Sequence, residues 1–182
     1  MGLDMYLEKR TYVKNWEHNK VKYEIIAKKG GEIMKEINPN KVSYIIEEVG
    51  YWRKANQIHK WFVDNVVSSQ DWNGESVYVS FEQLKELLET CKKVLKASKL
   101  IKGKIKNGST WTREKGHVDN IEDGKVIKDP KVAQELLPTE EGFFFGSTDY
   151  DEYYLADITD TIKILGDLKE EDCGDYYYSA SW

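Results

Sequence analysis

The hydrophobic residues of this sequence follow two different spacings in different segments. Leu3, Met5 and Leu7 occupy every second position, which is the pattern of a strand with one buried face. Later hydrophobic residues recur every third or fourth position, which is the pattern of a helix with one buried side: Leu84, Leu87, Leu88, Cys91, Val94 and Leu95. Both patterns within 182 residues predict an α+β fold built around one core.

Further strands are predicted by alternating or short apolar segments. These cover 21–27, 32–37, 42–46, 77–79, 143–145 and 176–182, and the first expected strand runs from Leu3 toward Val13. Gly30-Gly31 offers a tight turn between the second strand and the third. The chain therefore opens as a β-meander in a mixed or antiparallel sheet.

About three main helices accompany this sheet. One is predicted from Tyr51 to Val66, after Gly50 separates it from the preceding strand. Ser80-Phe-Glu-Gln83 has the spacing of a capping box for the second helix, and Asp149-Tyr-Asp-Glu152 is a capping signature for a helix over 151–168. A brief helix is also expected between Pro130 and Pro138.

The segment 99–129 differs from the rest because it is short of apolar periodicity and rich in charge. Asn107-Gly108 and Asp123-Gly124 are both dipeptides typical of hairpin turns. We expect a polar β-hairpin excursion that stands away from the core of a single α+β domain spanning residues 1–182.

Composition and charge exclude several classes of protein. A net charge of −5 does not favour binding to duplex nucleic acid, which requires a basic surface. The two cysteines, Cys91 and Cys173, have no spacing typical of a disulfide framework or a zinc site. No apolar run predicts a membrane span, and Met1–Leu7 lacks the pattern of a secretory signal. We expect a protein of a reducing cytoplasm with no membrane partner, no metal and no cofactor.

Two segments combine aromatic rings with polar and charged side chains, as sites for flat, phosphorylated ligands do. In the first, Trp52, Arg53 and Lys54 begin the predicted helix, where cations and free amide groups could hold a phosphate. Trp52 could stack on a ring, while Asn56 and His59 could hydrogen-bond a base or sugar. The same segment is also typical of an ordinary amphipathic helix with a hydrated polar side.

The second segment is Gly142-Phe-Phe-Phe-Gly-Ser-Thr-Asp-Tyr-Asp-Glu-Tyr-Tyr154, predicted as a strand, a turn and a helix start. Gly146 permits close approach of a ligand or backbone, and Ser147 can donate a hydrogen bond. Phe144 or Tyr150 could stack on a ring. A sharp turn with good capping residues would explain the same pattern without a ligand.

The sequence contains no motif that fixes a reaction. A Walker loop, GxGxxG, HExxH and GxSxG are all missing from it. His59 could act as a general base with Asp151 or Glu152 as its partner, although a single histidine is more often structural. Catalytic residues are therefore not predicted, and an enzyme is the less favoured interpretation.

Four blocks together resemble an uncharacterised family of small proteins encoded by bacteriophages and prophages. They are Met1-Gly-Leu-Asp-Met-Tyr-Leu7, Gly50-Tyr-Trp-Arg-Lys-Ala-Asn-Gln-Ile-His-Lys-Trp-Phe62, Leu137-Pro-Thr-Glu-Glu-Gly-Phe-Phe-Phe-Gly-Ser-Thr148 with Tyr150-Asp-Glu-Tyr-Tyr154, and Ser179-Ala-Ser-Trp182. The resemblance brings no reaction with it. It implies an accessory protein that counters host defence, either by sequestering a nucleotide signal or by obstructing a defence protein.

The resulting hypothesis is a protein that sequesters a small nucleotide-like or phosphorylated ligand between the Trp52 segment and the bend at 143–146. Arg53 and Lys54 would hold phosphate, Trp52 and Phe144 or Tyr150 would stack, and Asn56, His59 and Ser147 would orient the ligand. An inhibitor of a host defence or replication protein and a small nucleotide hydrolase are the alternatives. A homodimer would be compatible with such a pocket, although nothing in the sequence requires one.

Overall fold

A four-stranded antiparallel sheet organises the protein. The computed structural model describes residues 2–68, 71–114, 116–142, 144–170 and 173–182. The strands are β1 (Asp4–Tyr12), β2 (Lys28–Lys29), β3 (Glu32–Ile33), β4 (Tyr44–Arg53), β5 (Val77–Val79), β6 (Leu100–Thr112), β7 (Gly116–Ile127) and β8 (Asp175–Ser181). The helices are α1 (Asn56–Asn65), α2 (Phe81–Ala97), α3 (Lys131–Leu136) and α4 (Glu152–Gly166), and a short 3₁₀ turn covers Pro39–Lys41.

The first and last strands lie side by side in the main sheet, whose order is β4-β1-β8-β5. Leu3, Met5 and Leu7 are fully buried, as their alternation predicts. They share one core with apolar side chains of α1, α2 and α4. The α+β class predicted from the sequence is thus confirmed.

The predicted capping residues also lie where expected. Ser80 Oγ accepts a hydrogen bond from the Gln83 amide at 3.2 Å, and Gln83 Oε1 accepts one from the Ser80 amide at 2.9 Å. Asp151 Oδ1 accepts from the amides of Tyr153 and Tyr154 at the start of α4. These side chains satisfy amide groups that a helix leaves without partners in its first turn.

The helix expected from Tyr51 begins only at Asn56, because β4 continues through Arg53. Pairing with β1 holds Asp4 against Arg53 and Met5 against Trp52, and so keeps this segment extended. Gly50 is paired with Leu7 inside the strand and does not separate two elements. A Cβ atom on Gly50 would lie 2.8 Å from the Ile164 side chain, so glycine is what allows α4 to pack closely there.

The expected strands at 21–27 and 32–37 are wrong, since only the two-residue β2 and β3 form in this region. Gly30 and Gly31 do make the predicted turn, both with positive φ. Apolar side chains in this region are exposed and do not pack against the main sheet; Val21, for example, is 84% exposed. Without a buried face, apolar alternation does not stabilise a strand.

The segment expected as a polar excursion forms the two-stranded hairpin β6–β7, in which Thr112 pairs with Gly116 near the tip. Neither predicted turn lies at this tip. Asn107-Gly108 coincides with a register shift, where Gly108 has φ +76°, and Asp123-Gly124 lies inside β7. A glycine with positive φ is typical of a β-bulge, so Asn107-Gly108 bends a strand and does not close it.

The base of this hairpin packs on the rest of the domain. Ile105 and Ile127 are buried, the Ile127 amide donates to Tyr150 O at 2.9 Å, and the Lys125 amide donates to Glu152 Oε1 at 2.9 Å. The expected strand at 143–145 does not form at Phe144 or Phe145, and Phe143 lies outside the described residues. No described helix combines the length and the apolar character needed to cross a membrane.

Candidate ligand-binding site

A cavity of about 550 Å³ lies where the end of β4 meets the segment 142–149, the bulge of β6 and the first turns of α4. We call it the Arg53 cavity. Five residues predicted as ligand contacts line it: Arg53, Lys54, Phe144, Gly146 and Ser147. The structure thus brings together two segments that are about 90 residues apart in the sequence, as the hypothesis requires.

The backbone of Leu3 connects these two segments. The Lys54 amide donates to Leu3 O at 2.7 Å, and the Leu3 amide donates to Phe144 O at 3.2 Å. Leu3, which directly precedes β1, therefore links the two parts of the cavity wall.

Unusual backbone conformations are concentrated at this cavity. Lys54 has φ +61° and Phe144 has φ +92°, and they are the only non-glycine residues with positive φ in the described ranges. Such a conformation costs about 1–2 kcal/mol per residue and is found preferentially at functional sites. Gly146, with φ +95°, lies so close that an added Cβ would be 3.1 Å from Lys54 Cβ.

The cations of the cavity remain accessible to an anion. The Arg53 side chain is 61% exposed, and its Nε lies 3.8 Å from Asp4 Oδ1. That carboxylate oxygen also accepts a hydrogen bond from Tyr51 OH at 2.5 Å. The guanidinium group is therefore not buried in an internal ion pair. Lys54 is exposed, and Lys106, on β6, contacts Asp119 at 2.8 Å.

Aspartates line the same cavity as the cations and give it a mixed character. Asp157, on α4, accepts a hydrogen bond at Oδ2 from Gln57 Nε2 at 3.0 Å, and burial raises the pKa of this carboxyl to about 6. Asp151 is 1% exposed, and its burial raises the pKa as well. Its Oδ1 caps α4, whereas its buried Oδ2 receives no hydrogen bond from the described residues.

A second cavity of about 930 Å³ adjoins the first and contains Tyr150, so we call it the Tyr150 cavity. The two cavities share six lining residues: Lys106, Gly142, Gly146, Ser147, Asp149 and Asp151. The half-buried Tyr150 accepts a hydrogen bond at its hydroxyl from the Thr139 amide at 3.2 Å. Tyr150 therefore lies beside the Arg53 cavity and does not line it.

Three predicted contacts belong to the protein interior. The Trp52 ring is only 4% exposed, and its Nε1 donates to Thr161 Oγ1 at 2.9 Å, so it cannot stack on a ligand. The Asn56 amide is buried and bonds to the backbone of the segment 140–147. Trp52 faces the core because β4 continues through Arg53.

His59, the third of these residues, is also buried and cannot contact a ligand in either cavity. It is 3% exposed, its Nδ1 lies 2.8 Å from Tyr178 OH, and the rings of Phe145 and Trp182 pack against it. Burial lowers the pKa of its imidazole to about 4. Neither cavity includes His59, and Glu152 is bonded to the hairpin, so the acid–base pair expected for a hydrolase is not assembled.

Sequence reasoning missed the residues that complete the Arg53 cavity. Lys106, Asn107, Gly108 and Ser109 come from a hairpin that was expected to stand apart, and Gln57 and Asp157 face each other from two helices. The Asn107-Gly108 pair carries a signal for a bulge as well as for a turn. Nothing local in the sequence identifies the pairing of Gln57 with Asp157.

Among the described residues, no group of three or more histidine, cysteine or acidic side chains could hold a metal ion. No family model matches this chain, and no curated protein or solved structure is significantly similar to it. The resemblance to bacteriophage proteins therefore stays a prediction.

Proposed function

We propose that this protein captures a small phosphorylated, nucleotide-like ligand in the Arg53 cavity. It would act as a bacteriophage counter-defence protein that sequesters a nucleotide signal in the host cytoplasm. The observation that carries the proposal is the convergence of Arg53 and Lys54 with Phe144, Gly146 and Ser147 around one cavity. Its volume of about 550 Å³ falls within the range of about 300–1,000 Å³ typical of small-molecule sites.

Each of these residues supplies a different part of the recognition. The guanidinium of Arg53 can pair with two phosphate oxygens, and Lys54 adds a second positive charge. The Phe144 ring is 42% exposed and can stack on a base, which contributes about 1–3 kcal/mol in comparable sites. Ser147 Oγ accepts from the Asp149 amide at 3.1 Å, which leaves the hydroxyl proton to donate to the ligand.

Isothermal titration calorimetry against cyclic mononucleotides, cyclic dinucleotides and ADP-ribose tests the proposal. Arg53→Ala should weaken binding by tenfold or more, because about 1.4 kcal/mol corresponds to a factor of ten and charge-assisted contacts exceed this. Arg113→Ala is the matched control, since Arg113 is exposed and lines neither cavity. No binding by the wild type, or equal losses in the two variants, would refute the proposal.

A protein-binding role is the second candidate, and one observation favours it. Large exposed apolar side chains are concentrated between 12 and 46: Tyr12, Trp16, Val21, Tyr23, Ile26, Ile33, Ile37, Tyr44, Ile45 and Ile46. Exposed apolar side chains that form a contiguous patch mark interaction surfaces. If a host protein is the target, Val21→Ser together with Ile33→Ser should abolish counter-defence activity in cells. The same double substitution should leave any nucleotide binding unchanged. Unchanged activity in cells would remove this candidate.

A further inference from the structure

The aspartates that line the Arg53 cavity suggest which kind of phosphorylated ligand it accepts. We propose that the ligand presents hydrogen-bond donors as well as phosphate, and that Asp157 of α4 recognises those donors. Suitable donors are the N–H groups on the edge of a guanine-type base or the hydroxyl groups of a sugar. This inference rests on the proposed function, because it specifies the ligand of the same site.

The position of Asp157 is fixed from behind. Gln57 is 2% exposed and donates to Asp157 Oδ2, so the carboxylate has a defined orientation at the cavity wall. Among the described residues, Gln57 is the only side chain that hydrogen-bonds this carboxylate. The second oxygen, Oδ1, is therefore the acceptor that remains for a ligand.

Asp151 is a further aspartate that lines the cavity. This side chain is nearly fully buried, lines both cavities, and has an Oδ2 atom that no described residue satisfies. A buried acceptor without a partner costs about 1–3 kcal/mol. Oδ2 has almost no accessible surface, so the contact to a ligand is assigned to Asp157 and not to this oxygen.

The charges in the cavity do not neutralise one another. Arg53 is paired with Asp4, and Lys106 with Asp119. No ion pair joins Arg53, Lys54 or Lys106 to Asp149, Asp151 or Asp157 within the described part of the chain. A ligand consisting of phosphate alone would be attracted by the cations and repelled by the aspartates. A ligand with an anionic part and a donor-rich part complements both kinds of charge.

Burial of Asp157 is consistent with this assignment. Removal from water raises the pKa of the carboxyl to about 6, because the charged form loses hydration. An ionised carboxylate that is partly desolvated binds a donor more strongly than a hydrated one does, since less water has to be displaced. Binding assays at about pH 8 keep this group ionised.

The first experiment uses the wild type and three phosphodiester probes. They are 3′,5′-cyclic GMP, its 2′-deoxy analogue, and purine riboside 3′,5′-cyclic monophosphate, whose base edge has no N–H. Recognition of the base predicts that the purine riboside probe binds at least about tenfold more weakly than cyclic GMP. Recognition of the sugar predicts that the 2′-deoxy probe binds at least about tenfold more weakly than cyclic GMP. Equal affinity for all three would overturn the inference without any substitution.

The second experiment compares Asp157→Asn with Asp160→Asn by calorimetry. Asp157→Asn keeps the shape of the side chain but replaces one acceptor oxygen with an amide, so the preference for the donor-bearing probe should disappear. Asp160 lies on the same helix, contacts Lys163 at the surface and lines neither cavity, so its substitution should preserve the preference.

The outcomes separate the two levels of the proposal. If Arg53→Ala abolishes binding while Asp157→Asn retains both affinity and preference, phosphate capture stands and recognition by Asp157 is wrong. If the wild type binds none of the probes and none of the wider nucleotide panel, both are wrong. A preference that is lost in Asp157→Asn and kept in Asp160→Asn supports both.

Discussion

Asn56 illustrates how a predicted ligand contact becomes a structural anchor. Its Nδ2 donates to Phe145 O at 3.1 Å and to Ser147 O at 2.8 Å, and its Oδ1 accepts from the Glu140 amide at 3.0 Å. These three bonds hold the segment that carries Phe144, Gly146 and Ser147. Asn56 therefore shapes the cavity wall from behind, and a ligand would depend on it without touching it.

We expect Asn56→Ala to lower the free energy of unfolding by about 2 kcal/mol, because buried backbone groups lose their partners. Urea denaturation would measure this loss, and calorimetry should show weaker ligand binding in the same variant. Asn65→Ala is the control. Asn65 donates one hydrogen bond, to Trp61 O, and is exposed, so its substitution should cost no more than about 0.5 kcal/mol. Equal costs in the two variants would contradict the anchoring role.

Three elements with local signals were predictable from the sequence. The alternation of β1, the capping box of α2 and the Asp151 cap of α4 depend on residues only a few positions apart, and all three are confirmed. The end of β4 was not predictable in this way. Its extension through Arg53 is imposed by pairing with Asp4, about 50 residues earlier, and this pairing overrides the helical spacing of 51–62.

The residues of the candidate site were likewise predictable only in part. Composition indicated that Arg53, Lys54, Phe144, Gly146 and Ser147 belong to a site, and these residues do line one cavity. Trp52 and His59 belong to the same aromatic and charged segment but face the core, because the geometry of the strand and the helix decides the direction of their side chains. Asp157 was missed since its significance comes from Gln57, a partner 100 residues away.

The hairpin β6–β7 offers a test of how an element is held at the cavity. Glu152 Oε1 accepts from the Lys125 amide, so Glu152→Ala should remove one attachment of the hairpin base. We expect hydrogen exchange at the Lys125 amide, measured by NMR, to accelerate by about tenfold, equivalent to a bond of about 1.4 kcal/mol.

Glu135→Ala is the control for this measurement, since Glu135 is exposed on α3 and makes no hydrogen bond or ion pair to Lys125. Its substitution should leave exchange at Lys125 unchanged. The global free energy of unfolding should change little in either variant, because the Ile127 bond to Tyr150 O and the burial of Ile105 and Ile127 remain. Unaltered exchange in Glu152→Ala would show that this bond does not hold the hairpin.

Two groups whose pKa values are shifted by burial in opposite directions contribute to how the stability of the whole molecule responds to acid. His59 has a pKa of about 4 in the folded protein, below its ordinary value near 6.5. Asp157 has a folded pKa of about 6, above its ordinary value near 3.9. As pH falls from about 6.5 to 4, His59 takes up its proton first in the unfolded chain, whereas Asp157 takes up its proton first in the folded protein.

The contribution of His59 is therefore fully present above about pH 6.5 and is lost as pH falls toward 4, by roughly 3 kcal/mol in total. The contribution of Asp157 has the opposite sign in nearly the same window, because protonation there favours the folded state. The wild type should accordingly show a shallow dependence of the free energy of unfolding on pH between about 6 and 4. Each single substitution should expose the group that remains.

His59→Gln should become relatively more stable as pH falls through this window, since only Asp157 still titrates with a shifted pKa of this size. Asp157→Asn should instead lose stability more steeply than the wild type as pH falls, because the opposing titration of Asp157 is then missing. Urea denaturation of the three proteins at several pH values between about 7.5 and 4 measures the slopes. The missing ring contacts in His59→Gln should lower its free energy of unfolding by a similar amount at every pH. The dependence on pH can therefore still be compared with that of the wild type. Identical slopes in all three proteins would mean that neither group keeps its shifted pKa in the folded state.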